Sequence, residues 1–311
     1  MTRAFRIGDL EAAVAPETEL LPLDPDRIAE GHWYDGILRF PLGGMSRGLL
    51  ANAFYFSVPP WAQEYLDHCH RDADFVALWR AAMGSWDDKV VVDVGCGPGN
   101  LLASLGGRPR QIIGIDVAEA SLQLARRIGY QPILADAHRL PLRTGCADIV
   151  TLNASLHHCD DMPQVLREAG RLVRPGGLLI TDHDHQLSAG NFRGLAALLW
   201  QARLPLNRLK RVGPHGDALQ QQCMLAGEVH ADEPGRGVTR ELYHQALEPL
   251  GFQVCLVPHN HNAGAAALVG VRGRAKRSWR WLQRLSGIDP DTADGALSLM
   301  CIATRDRGLT V

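Results

Sequence analysis

Between residues 89 and 184, short runs of β-branched residues alternate with amphipathic segments. Such alternation is typical of βαβ units, so the chain is predicted to adopt an α/β, Rossmann-like, doubly wound fold with helices on both faces of the sheet. The expected strands span residues 90–94, 111–116, 131–135, 147–152 and 177–182, with helices at 100–105, 118–128 and 161–173 between them. A helix at 239–250 and strands at 252–257 and 296–304 complete a mostly parallel, seven-stranded sheet.

The flanking regions divide the chain into four parts. Residues 1–85 contain many aromatics and helical patches, which predicts an N-terminal helical extension over the carboxyl edge of the sheet, where ligands bind in such folds. Residues 86–185 form the expected cofactor-binding core. Residues 186–236 join an apolar helical patch to a Gly-, Gln- and His-rich stretch and are interpreted as an inserted substrate lid. Residues 237–311 supply the rest of the sheet and a basic, tryptophan-containing insertion.

The composition excludes several classes of protein. With 46% hydrophobic and 21% charged residues among 311, the chain is typical of globular domains. Its formal charge of −2 creates no general attraction for nucleic acids or anionic membranes. No apolar run approaches the roughly 20 residues of a membrane span, and the acidic N-terminus does not resemble a secretory signal, so we expect a cytoplasmic protein. The seven cysteines include no CxxC pair, and the excess of arginine over lysine indicates a GC-rich bacterial genome.

A glycine-rich turn follows the first expected strand, in the sequence VVVDVGCGPGN at residues 90–100. Glycines at 95, 97 and 99 let the backbone approach a ligand closely, and the helix start that follows presents free N–H groups. A dinucleotide fingerprint GxGxxG beginning at Gly95 would need glycine where this chain has Asn100, and it would not expect Asp93 before the first glycine. A nicotinamide enzyme is therefore the weaker interpretation.

Residues 93–99 resemble the first motif, D/E-x-G-x-G-x-G, of the class I S-adenosylmethionine-dependent methyltransferases. Further segments match that family in order: GID at 114–116, Asp136-Ala137, NASLHH at 153–158 and VLREAGRLVRPGG at 165–177. The last two are similar to the small-molecule branch that carries the type 11 methyltransferase domain and includes quinone-biosynthesis enzymes. The resemblance covers residues 90–184 and, more loosely, 236–257.

The resemblance implies S-adenosylmethionine as the cofactor. It places Asp116 at the two ribose hydroxyls, and Asp136 with Ala137 at the adenine. The ammonium group of the cofactor needs an acceptor, for which Asp93 is the candidate. The cofactor-binding residues expected on this basis are Asp93, Gly95, Cys96, Gly97, Pro98, Gly99, Asp116, Val117, Asp136, Ala137, Asn153 and Ala154.

The sequence disfavours nucleic acids as acceptors. Residues 153–156 read NASL, whereas nucleic-acid amino-methyltransferases carry N/D-P-P-Y/F there, and the chain has no Pro-Cys dipeptide to supply the nucleophile of cytosine methylation. We therefore expect no DNA substrate. The basic segment 272–284 could contact RNA or phosphate, but a solvated helix with Trp279 and Trp281 packed inward is favoured. A small-molecule acceptor is expected, no membrane span, and a homodimer is left open.

The sequence TDHDH at 181–185 follows the fifth expected strand. Strand alternation would place His183 and His185 on one face, where a histidine of pKa ~6.5 could accept a hydroxyl proton, and both are our catalytic candidates. The alternative is that they only cap the strand. The same HxH spacing recurs at His259 and His261, but the sequence indicates no third ligand, so no metal is expected.

The resemblance thus implies an enzyme that transfers a methyl group in-line to an O, N or C atom of a small molecule, in specialised or cofactor metabolism. Two alternatives stay open. One is a member of the same fold that binds the cofactor without transferring methyl, as a cyclase-like catalyst or a regulator. The other is an NAD(P)-dependent oxidoreductase.

Overall fold

The structure is a computed structural model that describes residues 20–210, 219–220, 222 and 237–308, without the side chains of residues 203–210. The strands in this part are β1 (His32–Tyr34), β2 (Ile37–Arg39), β3 (Val90–Val94), β4 (Gln111–Asp116), β5 (Gln131–Leu134), β6 (Ala147–Asn153), β7 (Val173–Asp182), β8 (Phe252–His259) and β9 (Ser298–Arg305). They form one sheet in the order β1-β2-β5-β4-β3-β6-β7-β9-β8.

The helices of the described residues are α1 (Arg47–Phe56), α2 (Pro59–His68), α3 (Ala73–Met83), α4 (Asn100–Leu105), α5 (Glu119–Arg127), α6 (Met162–Leu172), α7 (Leu187–Gly190), α8 (Gly194–Lys210), α9 (Arg240–Leu247) and α10 (Arg277–Leu285). Short 3₁₀ helices lie at Pro25–Glu30, Leu156–His158, Glu248–Leu250 and Gly264–Val269. None of these helices is long and apolar enough to cross a bilayer.

The predicted α/β, Rossmann-like, doubly wound architecture is confirmed. Strands β3 to β7 pair in parallel, and β9 inserts antiparallel between β7 and β8 to complete the seven-stranded core. One apolar layer joins the sheet to α6 and α9, and the other joins it to α3, α4 and α5, so helices cover both faces. The chain runs outward in opposite directions from β3 and β6, which makes the carboxyl ends of these two strands the topological switch point.

The N-terminal extension is only partly helical. Helices α1 to α3 match the prediction, but β1 and β2 form a hairpin, and β2 pairs in parallel with β5. Asp35 (φ 51°) and Gly36 (φ 71°) form its turn, and positive φ at both central residues is typical of tight hairpins with an Asp-Gly sequence. The N-terminal extension therefore contains a β-hairpin in addition to the predicted helices, and the Asp-Gly pair at its turn favours such a hairpin.

The basic insertion also differs in part from the expectation. Trp279 packs inward against Phe192 and Trp200, with ring centroids 4.9 and 5.0 Å away, whereas Trp281 is 53% exposed. Two residues that are two positions apart lie on nearly opposite sides of a helix, so α10 cannot bury both rings. In the region interpreted as a lid, α7 and α8 are described, while residues 211–218, 221 and 223–236 lie outside the described residues.

Candidate active site

A pocket opens at the switch point of the sheet and holds about 860 Å³ of space, counting the part open to solvent. Ten of the residues expected at the cofactor line it: Asp93, Gly95, Cys96, Gly97, Asp116, Val117, Asp136, Ala137, Asn153 and Ala154. Pro98 and Gly99 do not. Gly99 (φ +92°) instead lets the start of α4 lie close to the end of α5, because a Cβ there would lie 2.5 Å from Ile128 Cδ1.

The glycine loop forms an open cradle at Gly97. Gly97 has φ +52°, and a Cβ built there would meet no atom within 4 Å although the residue lines the pocket. At Gly95 (φ +69°) a Cβ would lie 2.4 Å from Ser155 Cβ, so glycine is required there by packing. The loop therefore leaves room for a ligand at Gly97 that any side chain would occupy.

The Asp116 carboxylate fixes the loop against the end of β4. Its Oδ2 accepts the Gly97 N–H at 2.8 Å, and its Oδ1 accepts the Ala118 N–H at 2.9 Å. Burial raises the pKa of Asp116, while the backbone donors at Ala118 and Gly97 act in the opposite direction. The carboxylate also lines the pocket, and a carboxylate oxygen can accept a hydrogen bond from a ribose hydroxyl.

Asp93 is only 2% exposed and serves the framework of the site. One of its oxygens accepts the Tyr130 hydroxyl at 2.8 Å and the other accepts the Thr151 hydroxyl at 2.9 Å. The Thr151 contact ties β3 to β6, and the Tyr130 contact ties β3 to the residue before β5. Burial raises the pKa of Asp93 to about 6, although both hydroxyl donors lower it. Asp93 still lines the pocket, but both of its oxygens are engaged by protein donors.

Asn100 provides an acceptor that the sequence did not indicate. Its amide nitrogen donates to the carbonyls of Tyr65 and Cys69, both at 3.0 Å, which fastens the end of α2 over the pocket. Its amide oxygen is buried and has no hydrogen-bond partner among the described residues. Because Asn100 lines the pocket, this oxygen suits the ammonium group of S-adenosylmethionine. Asn100, which stands where the dinucleotide fingerprint requires glycine, is therefore a candidate ligand of the cofactor's ammonium group.

The part of the pocket that was expected to hold the adenine is polar. The Asp136 carboxylate lies 2.7 Å from His138 Nδ1 and also accepts the His138 N–H at 2.9 Å. This histidine lowers the pKa of Asp136, and the carboxylate in turn raises the pKa of His138.

Of the pair His157-His158, His158 lines the pocket, whereas His157 is buried with its Nδ1 2.7 Å from Asp184 Oδ1.

The N-terminal region supplies a further wall of the pocket. Its side chains are Leu49, Asn52 and Phe56 on α1, Tyr65 on α2, and His70 in the turn between α2 and α3. The aromatic content of residues 1–85 indicated that this region would cover the sheet edge, but nothing in the local sequence identified these particular residues. Their place depends on how α1 and α2 pack over the edge, which is a tertiary property.

The structure does not bring His183 and His185 together. Strand β7 ends at Asp182, and His183 has φ 62°, so the alternation on which the prediction relied stops at that point. His183 packs against His70 and His261, with ring centroids 5.1 and 4.3 Å away. His185 is exposed, and its ring lies 5.8 Å from that of His157. Neither lines the pocket, whereas His70 does.

The Asp182 carboxylate organises the histidines at the end of β7. It is fully buried and accepts hydrogen bonds from His259 Nε2 at 2.8 Å, His183 Nδ1 at 3.1 Å and Ser298 Oγ at 3.1 Å. Burial alone would raise the pKa of Asp182, but His259 and His183 hold it well below its usual range. Among the described residues, no group of three or more His, Cys, Asp or Glu side chains could hold a metal ion.

Comparison with known proteins agrees with this geometry. Residues 92–181 match a family model described as a methyltransferase domain, and this region runs from β3 to the end of β7. The chain belongs to the class I S-adenosylmethionine-dependent methyltransferases. Its cofactor is S-adenosylmethionine, and the open cradle at Gly97 and the buried, unpartnered oxygen of Asn100 fit that cofactor.

Three individual proteins illustrate the similarity. An uncharacterized 37.1 kDa protein in transposon TN4556 of Streptomyces fradiae is 32% identical over 254 residues, which cover 78% of this chain and 71% of that protein. The ubiquinone biosynthesis O-methyltransferase of Bordetella bronchiseptica is 38% identical over 101 residues, which cover 30% of this chain and 42% of that enzyme. A solved S-adenosylmethionine-dependent methyltransferase of Thermotoga maritima superposes with a TM-score of 0.48 at 17% identity, over 82% of this chain and 99% of the other.

The cradle at Gly97 predicts that a single methyl group there blocks this methyltransferase. Gly97→Ala should weaken binding of S-adenosylmethionine at least about tenfold in isothermal titration, and the left-handed backbone should cost about 1–2 kcal/mol of stability. Gly251→Ala is the matched control, because Gly251 (φ +79°) also has no atom within 4 Å of its Cβ position and does not line the pocket. It should lose similar stability and keep full affinity. Equal affinity of both variants would contradict the cradle.

The burial of Asp93 predicts a pH-dependent stability. Because the folded-state pKa of about 6 exceeds the usual 3.8, Asp93 contributes most to stability below pH 3.8, and this contribution is lost as the pH rises through 6. The amide introduced by Asp93→Asn does not titrate. In urea unfolding, the free energy of unfolding of this variant relative to the wild type should therefore rise by up to about 3 kcal/mol between pH 4 and pH 7, at about 1.4 kcal/mol per pKa unit. A constant difference over this range would show that Asp93 is not buried as a raised-pKa acid.

Proposed function

We propose that the protein transfers a methyl group from S-adenosylmethionine to a small-molecule acceptor held between the glycine loop and the N-terminal helices. The observation that carries this proposal is the shared pocket. One of its walls consists of the cofactor motifs, and the other consists of side chains from α1 and α2 that include Leu49, Phe56 and Tyr65. Apolar walls with a few polar groups are typical of small-molecule sites.

S-adenosylmethionine supplies a methyl group that is activated by its bond to a positively charged sulfur, which leaves as a neutral thioether. The tasks left to the protein are to orient the acceptor in line with that group, to exclude water and to accept a proton. The aromatic and aliphatic side chains of α1 and α2 suit the first two tasks. An aromatic or alicyclic acceptor is favoured by such a wall, and oxygen as the methylated atom is favoured by the similarity to an O-methyltransferase.

We keep the interpretation of residues 186–236 as a lid. Gln220 supports it, because its amide nitrogen donates to Glu64 Oε2 on α2 at 2.9 Å and lies 3.4 Å from the Tyr55 hydroxyl on α1. This segment therefore contacts the same two helices that form the acceptor wall. The four-part division of the chain, the cytoplasmic location, the bacterial source and a homodimer are proposed on the sequence alone. DNA and RNA remain disfavoured as substrates.

Of the two catalytic candidates, the geometry favours His183. Its Nδ1 donates to the buried Asp182 carboxylate, and its ring touches His70, which lines the pocket. A histidine that is oriented by a buried carboxylate and touches a pocket-lining side chain can assist proton transfer from behind that side chain. His185 is exposed and lies in a separate group with His157.

The assay that tests this function measures S-adenosylhomocysteine formed from S-adenosylmethionine with a panel of phenolic and alicyclic hydroxyl compounds. We expect His183→Ala to lower turnover about 100-fold or more, the lower range for a group that assists proton transfer. Affinity for S-adenosylhomocysteine should be unchanged, and His185→Ala should have a smaller effect. His244→Ala, on the outer face of α9 and paired only with Glu248 among the described residues, is the control. If the wild type binds S-adenosylmethionine but methylates no member of a broad panel, a binding role without transfer replaces the proposal.

A further inference from the structure

Three histidines in left-handed backbone conformations meet beside the pocket. His70 (φ 61°), His183 (φ 62°) and His261 (φ 63°) are non-glycine residues in a region that costs of order 1–3 kcal/mol where it is strained. Their rings are in contact, since that of His183 lies 5.1 Å from His70 and 4.3 Å from His261. Ala154, which follows Asn153 and lines the pocket, is a fourth non-glycine residue with a positive φ (51°). Backbone of this kind clusters at functional sites and persists only where the surrounding structure holds it.

The hydrogen bonds fix where protons reside behind this cluster. His259 Nδ1 accepts the His261 N–H at 3.2 Å, so the proton of the neutral His259 ring is on Nε2, which donates to Asp182. His183 carries its proton on Nδ1, because that atom faces the other Asp182 oxygen. Asp182 is therefore an ionised, buried carboxylate, and the His183 ring lies between it and His70.

The tautomer of His70 is coupled to the orientation of the Asn153 side-chain amide. The amide nitrogen of Asn153 is placed 3.1 Å from His70 Nδ1, while the buried amide oxygen has no hydrogen-bond partner among the described residues. The two amide positions are interchangeable by a 180° rotation. In the rotated orientation the oxygen accepts a hydrogen bond from His70 Nδ1–H, and the amide nitrogen takes the buried position at which the described residues offer no partner. This arrangement leaves a lone pair on His70 Nε2, which no described residue engages by a hydrogen bond.

We propose that His70 is a catalytic residue whose Nε2 accepts the proton of a hydroxyl acceptor as the methyl group is transferred. The inference rests on the proposed function. Asn153 holds the required tautomer, and Asp182 acts through His183 as a positioning residue that stabilises the positive charge. His70 lines the pocket and neither His183 nor His185 does, so His70 is the one of these three that an acceptor can touch.

The step balances in atoms and charge. A lone pair of the acceptor oxygen forms the new C–O bond as the C–S bond breaks, and the electrons of the C–S bond remain on sulfur in S-adenosylhomocysteine. The hydroxyl proton moves to His70 Nε2. One positive charge is thus lost from the sulfonium and one appears on the imidazole, from which the proton leaves to water with the product.

The surroundings of His70 favour a hydroxyl over an amine. The groups facing it are His183 with Asp182 behind it, Asn153, Tyr65 and Phe75. Burial, and after it the neighbouring His183, lowers the pKa of His70 to about 3, while Asp182 opposes the shift. Such a base is unprotonated at neutral pH but weak. It can take a proton from an oxygen that is becoming a strongly acidic oxonium, but it cannot deprotonate an alkylammonium ion.

Long-range ¹H–¹⁵N correlation of the histidine rings in the wild-type protein tests the tautomer without any assay of turnover. We expect the Nδ1–H form of His70 at pH 7. An Nε2–H form would overturn the proposal, because Nε2 could then only donate. The tautomer can be measured whether or not methyl transfer is detected, so the role of His70 and the proposed function can be refuted separately.

The variant His70→Asn tests the chemical role, because asparagine tolerates left-handed backbone better than other non-glycine residues and so protects the fold. We expect turnover of a phenolic acceptor to fall about 100-fold or more, with affinity for S-adenosylhomocysteine within threefold of the wild type. Loss of that affinity would mean that His70 holds the cofactor, and unchanged turnover would remove its role as base. Either result overturns the proposed role of His70. Methyl transfer as the function of the protein is still supported in that case if the wild type turns over the acceptor. Asp182→Asn should lower kcat with little change in KM, whereas equal loss in both would deny its positioning role.

Discussion

The hydrogen bond from Gly97 N–H to the Asp116 carboxylate is the contact on which the site depends. It joins the loop after β3 to the end of β4, and the same carboxylate accepts the Ala118 N–H where α5 begins. The loop can therefore stay open at Gly97 without losing its shape, because its N–H groups are satisfied from the neighbouring strand. Beneath it, the Asp93 carboxylate accepts the Thr151 hydroxyl from β6 and the Tyr130 hydroxyl from just before β5, so β3 is fastened on both sides.

The two walls of the pocket have different origins. The cofactor wall is local, since each of its residues follows a strand of the parallel sheet and the register brings the strand ends to one edge. Asn153, for instance, lies directly opposite Asp182 in the pairing of β6 with β7. The proposed acceptor wall is assembled from α1 and α2, and the Asn100 side chain helps to hold α2 in place. Enzymes of one fold can thus keep a cofactor and change an acceptor by altering a separate part of the chain.

The features that follow from local sequence could be predicted, whereas those that depend on tertiary packing could not. Hydrophobic periodicity and the glycine loop were enough to predict the order of strands and helices, because these patterns reflect contacts made within a few residues. His183 and His185 show the limit of such patterns, since the strand ends at Asp182 and the backbone turns left-handed at the next residue. His70 could not be identified at all from the sequence. It contributes to the pocket only because α2 and α3 bring it to Asn153 and His183.

Isothermal titration with S-adenosylmethionine, S-adenosylhomocysteine and NADH, on the wild type and on Asp116→Ala, tests the central claim most directly. The account predicts that both adenosyl ligands bind the wild type, that NADH does not, and that the variant binds the adenosyl ligands about 1.5–3 kcal/mol more weakly, the usual worth of hydrogen bonds to a charged group. Binding of NADH alone, or adenosyl-ligand affinity unchanged in Asp116→Ala, would contradict the assignment of this pocket.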